Sequence, residues 1–421
     1  MRLFIMRDRI VTSTILLLII LILNSVLINC KRPYENTNQN IPFKLEIENC
    51  NTLIDLKLSD LIDSCWLVSL ETTNESLLGD FYRYFYLTND YIIVDDINGI
   101  YLFAADGSFI NKIIHVGRGP QEISVSHSCY YYEKEDLLLI NDRFNNENKL
   151  LCYDIKAQTF QNPIKKCFSD QWGEFMVYND SIIGSLSGMD AGPNPFGIFF
   201  QDFNGNFVSG IESKRRCISL QNQEVLQRML LYFGNNEIHV KYTYDDTLFA
   251  LNNKRLSPYL IAQYNSPQSD PPHMIPEIGE KKCHFERFEN SSFIIFWNQS
   301  LKGFIPFNAG KKADYNKVFF FLNKSNGNYG VIKSYTDDFI GKIETSESET
   351  IHFPTSLPNN KIYIVYYAHE LLGITSSNQV SKEYPKSLYS QLSKIKGNLN
   401  VTDNPVLLIG IPKKRIRVKN L

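Results

Sequence analysis

The sequence has eight cysteines but no pair at C-x-x-C spacing, and it has no strong charge of either sign. Apart from Cys30 the cysteines are odd in number, and this pattern argues against a typical zinc site and a dense disulfide framework. Buried free thiols are the simplest interpretation, although one or two disulfides remain compatible with export. The formal net charge of −2 gives no reason to expect nucleic acid or an anionic membrane surface as a partner. The basic segment Lys413–Leu421 is short, and we interpret it as a solvated end.

The sequence also lacks the linear motifs of common enzymes and nucleotide sites. No two histidines stand four residues apart on a predicted helix, and there is no Gly-x-Ser-x-Gly elbow. The stretch "IIHVGRGPQEIS", Ile113–Ser124, has neither the Gly-Lys-Ser/Thr of a phosphate loop nor the third glycine of a dinucleotide fingerprint. We therefore interpret it as a joint between repeats, in which Gly117 is free to take a positive φ and Pro120 stiffens the chain.

The first thirty residues have the features of a bacterial lipoprotein signal. A basic start, "MRLFIMRDR", precedes an apolar run from Ile15 to Leu23, which is shorter than the ~20 residues that span a bilayer. The ending Leu27-Ile28-Asn29-Cys30 resembles a lipobox, although Asn29 replaces the usual small residue. The resemblance implies that Cys30 becomes the lipidated first residue and anchors the chain in the cell envelope, with the outer membrane expected and its face left open. Plain secretion and an uncleaved anchor are the alternatives.

One short pattern recurs six times, a polar pair followed by a β-branched or aromatic run. The copies begin at Asn89, Glu135, Asn179, Asn235, Asn290 and Asn359. The pair is typical of a tight turn, and the run is typical of a strand buried on both faces. Further strands follow most copies, with hairpin turns predicted at Ala105-Asp106-Gly107 and Asn204-Gly205.

This repetition predicts an all-β fold, a six-bladed β-propeller, in which stacked blades cover one another's faces. A pair of β-sandwiches is the alternative, but it requires no periodic motif. Closure of the ring is predicted from pairing of Asp63–Thr72 with Asn404–Pro412, because an open ring has two exposed edges. One peripheral helix is expected over Pro385–Lys396. The predicted organisation is a signal peptide (1–29), a lipidated N-terminus and tether (30–50), the propeller (51–413) and a basic tail (414–421).

The order of several segments resembles the six-bladed β-propeller lipoproteins common in Bacteroidota. These segments are "VSLETTNESLLGD", "YIIVDD…YLFAADGSFI", "GRGPQE", "YTYDDTLFAL…SPYL" and "DNPVLLIG". The resemblance covers Leu53–Lys413, and the G-x-G-P-x-E joint also resembles the start of NHL repeats. It implies a lipid-anchored propeller with a capture or assembly role, and it carries over no catalytic residue.

Polar residues near the predicted channel mouth are the candidates for a functional site. They are Asp95, Asp96, Asp142, Arg118, Glu122, His127, His239, His352 and His369. Of these, Arg118, Glu122 and His127 are the candidate ligand-binding residues, and His239 within "EIHVKY" is better explained as a sheet histidine. The turns "DDING" and "DFNGN" do not complete a calcium loop, so no metal and no cofactor are expected.

Two functions remain open at this point. The first is a binding or scaffold module for a small molecule, a glycan or a partner protein. The second is a propeller hydrolase or lyase. A ring of acids or histidines in the central funnel would favour the enzyme, whereas an aromatic-lined, uncharged mouth would favour glycan binding.

Overall fold

Strand-forming sequence dominates the chain, and a computed structural model gives the arrangement of the strands. It describes residues 42–47, 49–79, 82–117, 122–124, 127–142, 148–168, 172–186, 195–212, 215–218, 223–226, 229–234, 237–242, 246–263, 282–289, 292–301, 315–345, 353–357, 359–373, 384, 386–416 and 418. Cys30, Arg118 and His352 lie outside these residues.

The described elements begin with three strands that belong to later blades, followed by the first three blades. The first elements are β1 (Phe43–Glu46), β2 (Leu53–Lys57), α1 (Leu58–Leu61) and β3 (Ile62–Ser69). Blade 1 contains β4 (Tyr82–Leu87), β5 (Tyr91–Asp96), β6 (Gly99–Ala104), β7 (Phe109–Val116) and β8 (Glu122–Ile123). Blade 2 contains β9 (His127–Tyr132), a 3₁₀ turn (Glu133–Glu135), β10 (Leu137–Asp142), β11 (Lys149–Asp154) and β12 (Thr159–Lys165). Blade 3 contains β13 (Trp172–Tyr178), β14 (Ser181–Leu186), β15 (Phe196–Gln201) and β16 (Phe207–Glu212).

A separate hairpin precedes the second half of the ring. It contains β17 (Arg215–Ile218) and β18 (Gln223–Leu226). Blade 4 contains β19 (Met229–Gly234), β20 (Glu237–Tyr242), β21 (Thr247–Asn252) and β22 (Arg255–Gln263). Blade 5 contains β23 (Lys282–Glu289), β24 (Phe293–Leu301), β25 (Tyr315–Asn323), β26 (Tyr329–Asp337) and β27 (Lys342–Thr345). Blade 6 contains β28 (Thr355–Ser356), β29 (Ile362–Tyr366), α2 (Ala368–Gly373), α3 (Lys386–Asn398) and β30 (Val406–Pro412).

These sheets form a six-bladed β-propeller, which confirms the predicted fold. The six repeated runs are the second strands of their blades: β5, β10, β14, β20, β24 and β29. In β5 every residue after Tyr91 is buried, as expected for a strand covered on both faces. The first strands lie at the centre of the ring, because β9 contacts β13, β13 contacts β19, β19 contacts β23 and β23 contacts β28. The repeated pattern therefore marks the second strand, and one further strand precedes it in every blade.

Closure of the ring follows the predicted pairing. β3 is antiparallel to β30, with Leu67 opposite Leu408, and it forms the outer strand of blade 6. The same N-terminal segment contributes two more edge strands, because β1 pairs in parallel with β22 and β2 pairs in parallel with β26. Three successive N-terminal strands thus cover the outer edges of blades 4, 5 and 6. β1 lies within residues 30–50, the segment that the sequence assigns to the tether.

The described part of the basic C-terminal segment, residues 413–416 and 418, is attached to the propeller, so the interpretation of these residues as a solvated end is wrong. Ile416 and Val418 are buried in the core between blades 5 and 6. Asn323 Nδ2 donates a hydrogen bond to the Ile416 carbonyl at 3.1 Å, and Ser292 Oγ donates one to the Lys413 carbonyl at 2.6 Å. The physical reason is visible in the sequence, where apolar residues alternate with the charges.

The predicted hairpin turns and the predicted helix are present in the structure. Gly107 and Gly205 have φ values of 93° and 83°, as the predicted hairpin turns require. The predicted helix is α3, which buries Leu388 and Leu392 against the propeller. None of the helices in the described part of the chain is long and apolar enough to cross a membrane. The cysteines whose side chains are described are free thiols: Cys50, Cys65, Cys129, Cys152 and Cys167.

Candidate functional site

Two of the predicted site residues meet inside the interface between blades 1 and 2. His127, at the start of β9, places Nε2 2.8 Å from Oδ1 of Asp95, near the end of β5. Both side chains are fully buried. Cys129 Sγ donates a hydrogen bond to the other carboxylate oxygen of Asp95 at 3.2 Å. The pair therefore joins two blades, and substrate in the channel has no direct access to it.

The hydrogen-bond partners of His127 indicate where its protons lie. His127 Nδ1 lies 2.8 Å from the carbonyl oxygen of Ser124, and since a carbonyl only accepts, Nδ1 carries a proton. The contact between Nε2 and Asp95 then needs a second proton, held either by the ring or by the carboxyl group. Asp142 completes the cluster, because it accepts the Ser124 N–H at 3.0 Å and its hydroxyl at 2.5 Å. These hydrogen bonds tie the connection between blades 1 and 2 to the end of β10.

Of the other predicted histidines, His239 and His369 lie among the described residues, and neither belongs to this cluster. His239 is fully buried within β20 and stacks on Tyr259, with ring centroids 4.2 Å apart, which is consistent with a sheet histidine. His369 lies on α2 and stacks on Tyr367 at 5.7 Å. Among the described residues, no group of three or more His, Cys, Asp or Glu side chains is placed to hold a metal ion.

Glu122 lies in a different place, in an open groove of about 780 Å³ that we call the blade-1 groove. One wall is the connection from blade 6 to blade 1, and the other wall is formed by β6, β7 and β8. The groove is lined by Asn74, Glu75, Leu77, Asn98, Tyr101, Phe109, Ile110, Asn111, Lys112, His115, Val116 and Glu122. A volume of this size is typical of ligand sites in proteins.

Ring closure fixes the first wall of the blade-1 groove. Asn404, which precedes β30, accepts the Leu78 N–H at 2.9 Å through Oδ1. Its Nδ2 donates to the carbonyls of Glu71 and Ser76 at 2.7 and 2.9 Å. One nearly inaccessible side chain therefore connects the turn before β4 to the segment that precedes β30.

A buried carboxylate lies behind the second wall. Asp96 is fully buried and accepts the N–H groups of Gly79 and Asn98 at 3.0 and 3.3 Å. Lys112 Nζ lies 4.8 Å from the centroid of the Tyr101 ring. Burial lowers the pKa of Lys112, while the Asp96 carboxylate opposes this change. Burial, and then Asp96, raises the pKa of Tyr101 to about 12, so the hydroxyl remains a hydrogen-bond donor at neutral pH.

Gly117 has a different role from the one predicted. Its φ lies outside the left-handed range, so a positive φ is not the reason for glycine at this position. A Cβ atom here would instead contact the carboxylate of Glu122. Glycine therefore leaves room for the Glu122 side chain beside the groove.

Most of the residues lining the groove were missed by sequence reasoning. Glu75, Tyr101, Lys112 and His115 form no linear motif, because they come from a connection and from two neighbouring strands. Asn98 belongs to "DDING", which we interpreted only as a turn. The two polar turns "TTNES" and "DDING" are the features of the sequence that could have indicated the groove. Residues of both turns line it.

Comparison with known proteins supports both the fold and the family. The chain is similar to the solved structure of a Bacteroides fragilis protein that is described as exported. The identity is 14%, the TM-score is 0.54, and the match covers 89% of this chain and 99% of that chain. It is also similar to a member of the DUF4221 family from Bacteroides vulgatus, with 9% identity, a TM-score of 0.42, and coverage of 86% and 98%. At such low identity the first likeness shows the fold alone. A search of curated proteins finds no match. The family described as "Domain of unknown function (DUF4934)" matches residues 39–410, and the chain therefore belongs to that family.

Proposed function

We propose that the protein is an exported, lipid-anchored propeller that binds a glycan in the blade-1 groove. The observation that carries this proposal is the composition of the groove. Carboxamides, carboxylates and one ammonium group surround two aromatic rings in a volume of about 780 Å³. Sugar hydroxyls both donate and accept hydrogen bonds, so they match a wall that offers both kinds of group.

The positions of individual side chains support the same ligand class. The carboxylates of Glu75 and Glu122 can accept bonds from sugar hydroxyls, while the Lys112 ammonium can donate to them. Phe109 and the exposed Leu77 supply an apolar surface for the C–H face of a sugar ring. Because Asn404 holds the opposite wall in place, little ordering is required on binding.

The proposed location rests on the N-terminus and on the structural neighbour. Residues 1–30 resemble a lipoprotein signal that ends at Cys30. The similar Bacteroides fragilis protein is described as exported. A lipid-anchored binding protein would hold its ligand close to the membrane, and the outer membrane is the membrane that we propose. The NHL-like joint fits this proposal but does not define the ligand.

A binding experiment with paired lysine variants tests the proposal. The detergent-solubilised protein would be applied to an oligosaccharide array, and the best ligand would then be measured by calorimetry. We expect Lys112→Met to weaken binding by about tenfold, which corresponds to about 1.4 kcal/mol. Lys333→Met, at an exposed position on β26, is the matched control and should leave the affinity unchanged. Absence of any oligosaccharide ligand, or equal affinities of the two variants, would contradict the proposal.

A further inference from the structure

A second concavity, of about 200 Å³, lies at the centre of the ring. It is formed where the first strands of blades 1, 2 and 3 end, beside the turn that follows β28 in blade 6. Residues of four blades line it, as expected for one mouth of the central channel. We call it the tyrosine mouth, and its principal walls are Tyr86, Tyr130, Tyr132, Leu87, Val177 and Leu357.

The hydroxyl groups of these tyrosines bond to the protein itself. Tyr86 donates to the Cys129 carbonyl at 2.5 Å, and Tyr130 donates to the Val177 carbonyl at 3.4 Å. Tyr132 donates to Asp180 Oδ1 at 2.9 Å. These bonds fix the orientation of each ring, so the walls of the mouth are ring surfaces and aliphatic side chains.

The polar groups at the rim are largely engaged as well. Lys134 Nζ lies 2.6 Å from Asp180 Oδ1, and Asn359 Nδ2 donates to the Leu87 carbonyl at 2.6 Å. Glu133 is the acidic residue among those that line the mouth. The mouth is therefore aromatic but not uncharged, and it has little hydrogen-bonding capacity left for a cluster of sugar hydroxyls.

We propose that the tyrosine mouth binds a single aromatic ring. A volume of about 200 Å³ is close to the size of one substituted ring. Fixed aromatic rings favour edge-to-face or offset contacts with another ring. A pyranose needs several hydrogen bonds, and burying its hydroxyls without partners would cost free energy. This site is separate from the blade-1 groove and does not depend on the glycan proposal.

Two probes distinguish the sources of such a ring. p-Cresol represents a free aromatic compound, and N-acetyl-phenylalaninamide represents an aromatic side chain on a polypeptide. Binding of each probe to the full chain would be measured by NMR titration. Methyl glucopyranoside would be titrated in the same way, as a representative sugar. We expect saturable binding of the aromatic probes and none of the glucoside. Tighter binding of the amide would identify a polypeptide as the source, and tighter binding of p-cresol would identify a free compound.

Variants of Tyr132 separate the ring from its hydroxyl. Tyr132→Ala removes one wall and should weaken aromatic binding by about tenfold, whereas Tyr132→Phe keeps the ring and should stay within about twofold of the wild type. Phe160→Ala, at an exposed position on β12, controls for the loss of an aromatic side chain elsewhere. A thermal unfolding curve for each variant verifies that it is folded. Binding of the glucoside, absence of aromatic binding to the wild type, or unchanged binding by Tyr132→Ala would overturn the inference.

Discussion

At the scale of single residues, the contact between His127 and Asp95 joins blades 1 and 2 through two fully buried side chains. His127→Ala would leave the Asp95 carboxyl group in the interface without its ring partner. Removing one partner of a buried hydrogen bond typically lowers the free energy of unfolding by about 1–3 kcal/mol. Urea denaturation measures this loss, and the exposed His115→Ala should change the same quantity by less than about 0.5 kcal/mol. Similar losses for both variants would show that the contact does not stabilise the interface.

Asp337 gives a prediction about pH at the same scale. Burial is the main cause that raises its pKa to about 6, while hydrogen bonds from the Tyr366 hydroxyl and from two backbone N–H groups oppose the change. The folded state therefore binds this proton more tightly than the unfolded chain, whose pKa is near 3.8. Between these two values the free energy of unfolding falls as pH rises, by about 3 kcal/mol for a shift of about two units.

The variant Asp337→Asn tests this sign, because the amide keeps an acceptor for Tyr366 and does not titrate. The stability of the wild type relative to Asp337→Asn should be greatest below pH 4 and should decline through pH 6. Urea denaturation at several pH values measures the difference. Asp63→Asn, at an exposed position on β3, is the control. A difference between wild type and Asp337→Asn that does not change with pH would contradict the assignment.

At the scale of the element, Asn404 connects the C-terminal strand to the wall of the blade-1 groove. Asn404→Asp replaces an NH₂ group with an oxygen that faces the carbonyls of Glu71 and Ser76. We expect the free energy of unfolding to fall by about 2 kcal/mol or more, because buried acceptors lose their donor. Glycan affinity should fall as well, since residues 71–78 form part of the groove. Asn162→Asp, at an exposed position on β12, should change neither quantity.

The C-terminal segment after β30 is a second element whose contribution can be measured. Ile416→Ser combined with Val418→Ser replaces two apolar side chains in the core between blades 5 and 6 with hydroxyl groups. We expect the free energy of unfolding to fall by about 3 kcal/mol or more. Lys414→Ser combined with Arg415→Ser changes exposed residues of the same segment and serves as the control. Deletion of residues 404–421, which removes β30, should abolish cooperative unfolding of the propeller. Equal thermal midpoints for the two double variants would contradict the observed packing.

The elements that the sequence predicted share one physical property. The second strands of blades 1 and 2 are buried on both faces, so each begins with a continuous apolar run. The first strands were missed because "HSCYYY" mixes polar and aromatic residues, and β28 has only two residues. β1 and β2 were missed because their partners lie more than two hundred residues away, and pairing at that distance leaves no local pattern.

The site was less predictable than the fold for a related reason. The sequence identified Glu122 and His127, but the structure places one in an open groove and the other in a closed interface. The proximity of Lys112 to Tyr101 and of Asn404 to residues 71–78 arises from blade geometry and ring closure. Neither distance follows from the spacing of these residues in the chain.

At the scale of the whole molecule, the proposed lipid anchor at Cys30 would determine where the propeller works. If Cys30 is lipidated, Cys30→Ala should move the protein from the membrane fraction to the soluble fraction after a high-salt wash. Cys50→Ala, within the described propeller, should leave it in the membrane fraction. A Cys30→Ala protein that stays with the membrane would show that the lipobox interpretation is wrong.

Occupation of the blade-1 groove by a glycan should protect that groove and leave blades 3 to 5 largely unchanged. Hydrogen–deuterium exchange on the full chain, with and without the oligosaccharide selected on the array, tests this claim directly. We expect slower exchange on ligand addition in residues 71–79 and 98–116, with little change in blades 3 to 5. Protection confined to blades 3 to 5, or no protection at saturating ligand, would contradict it.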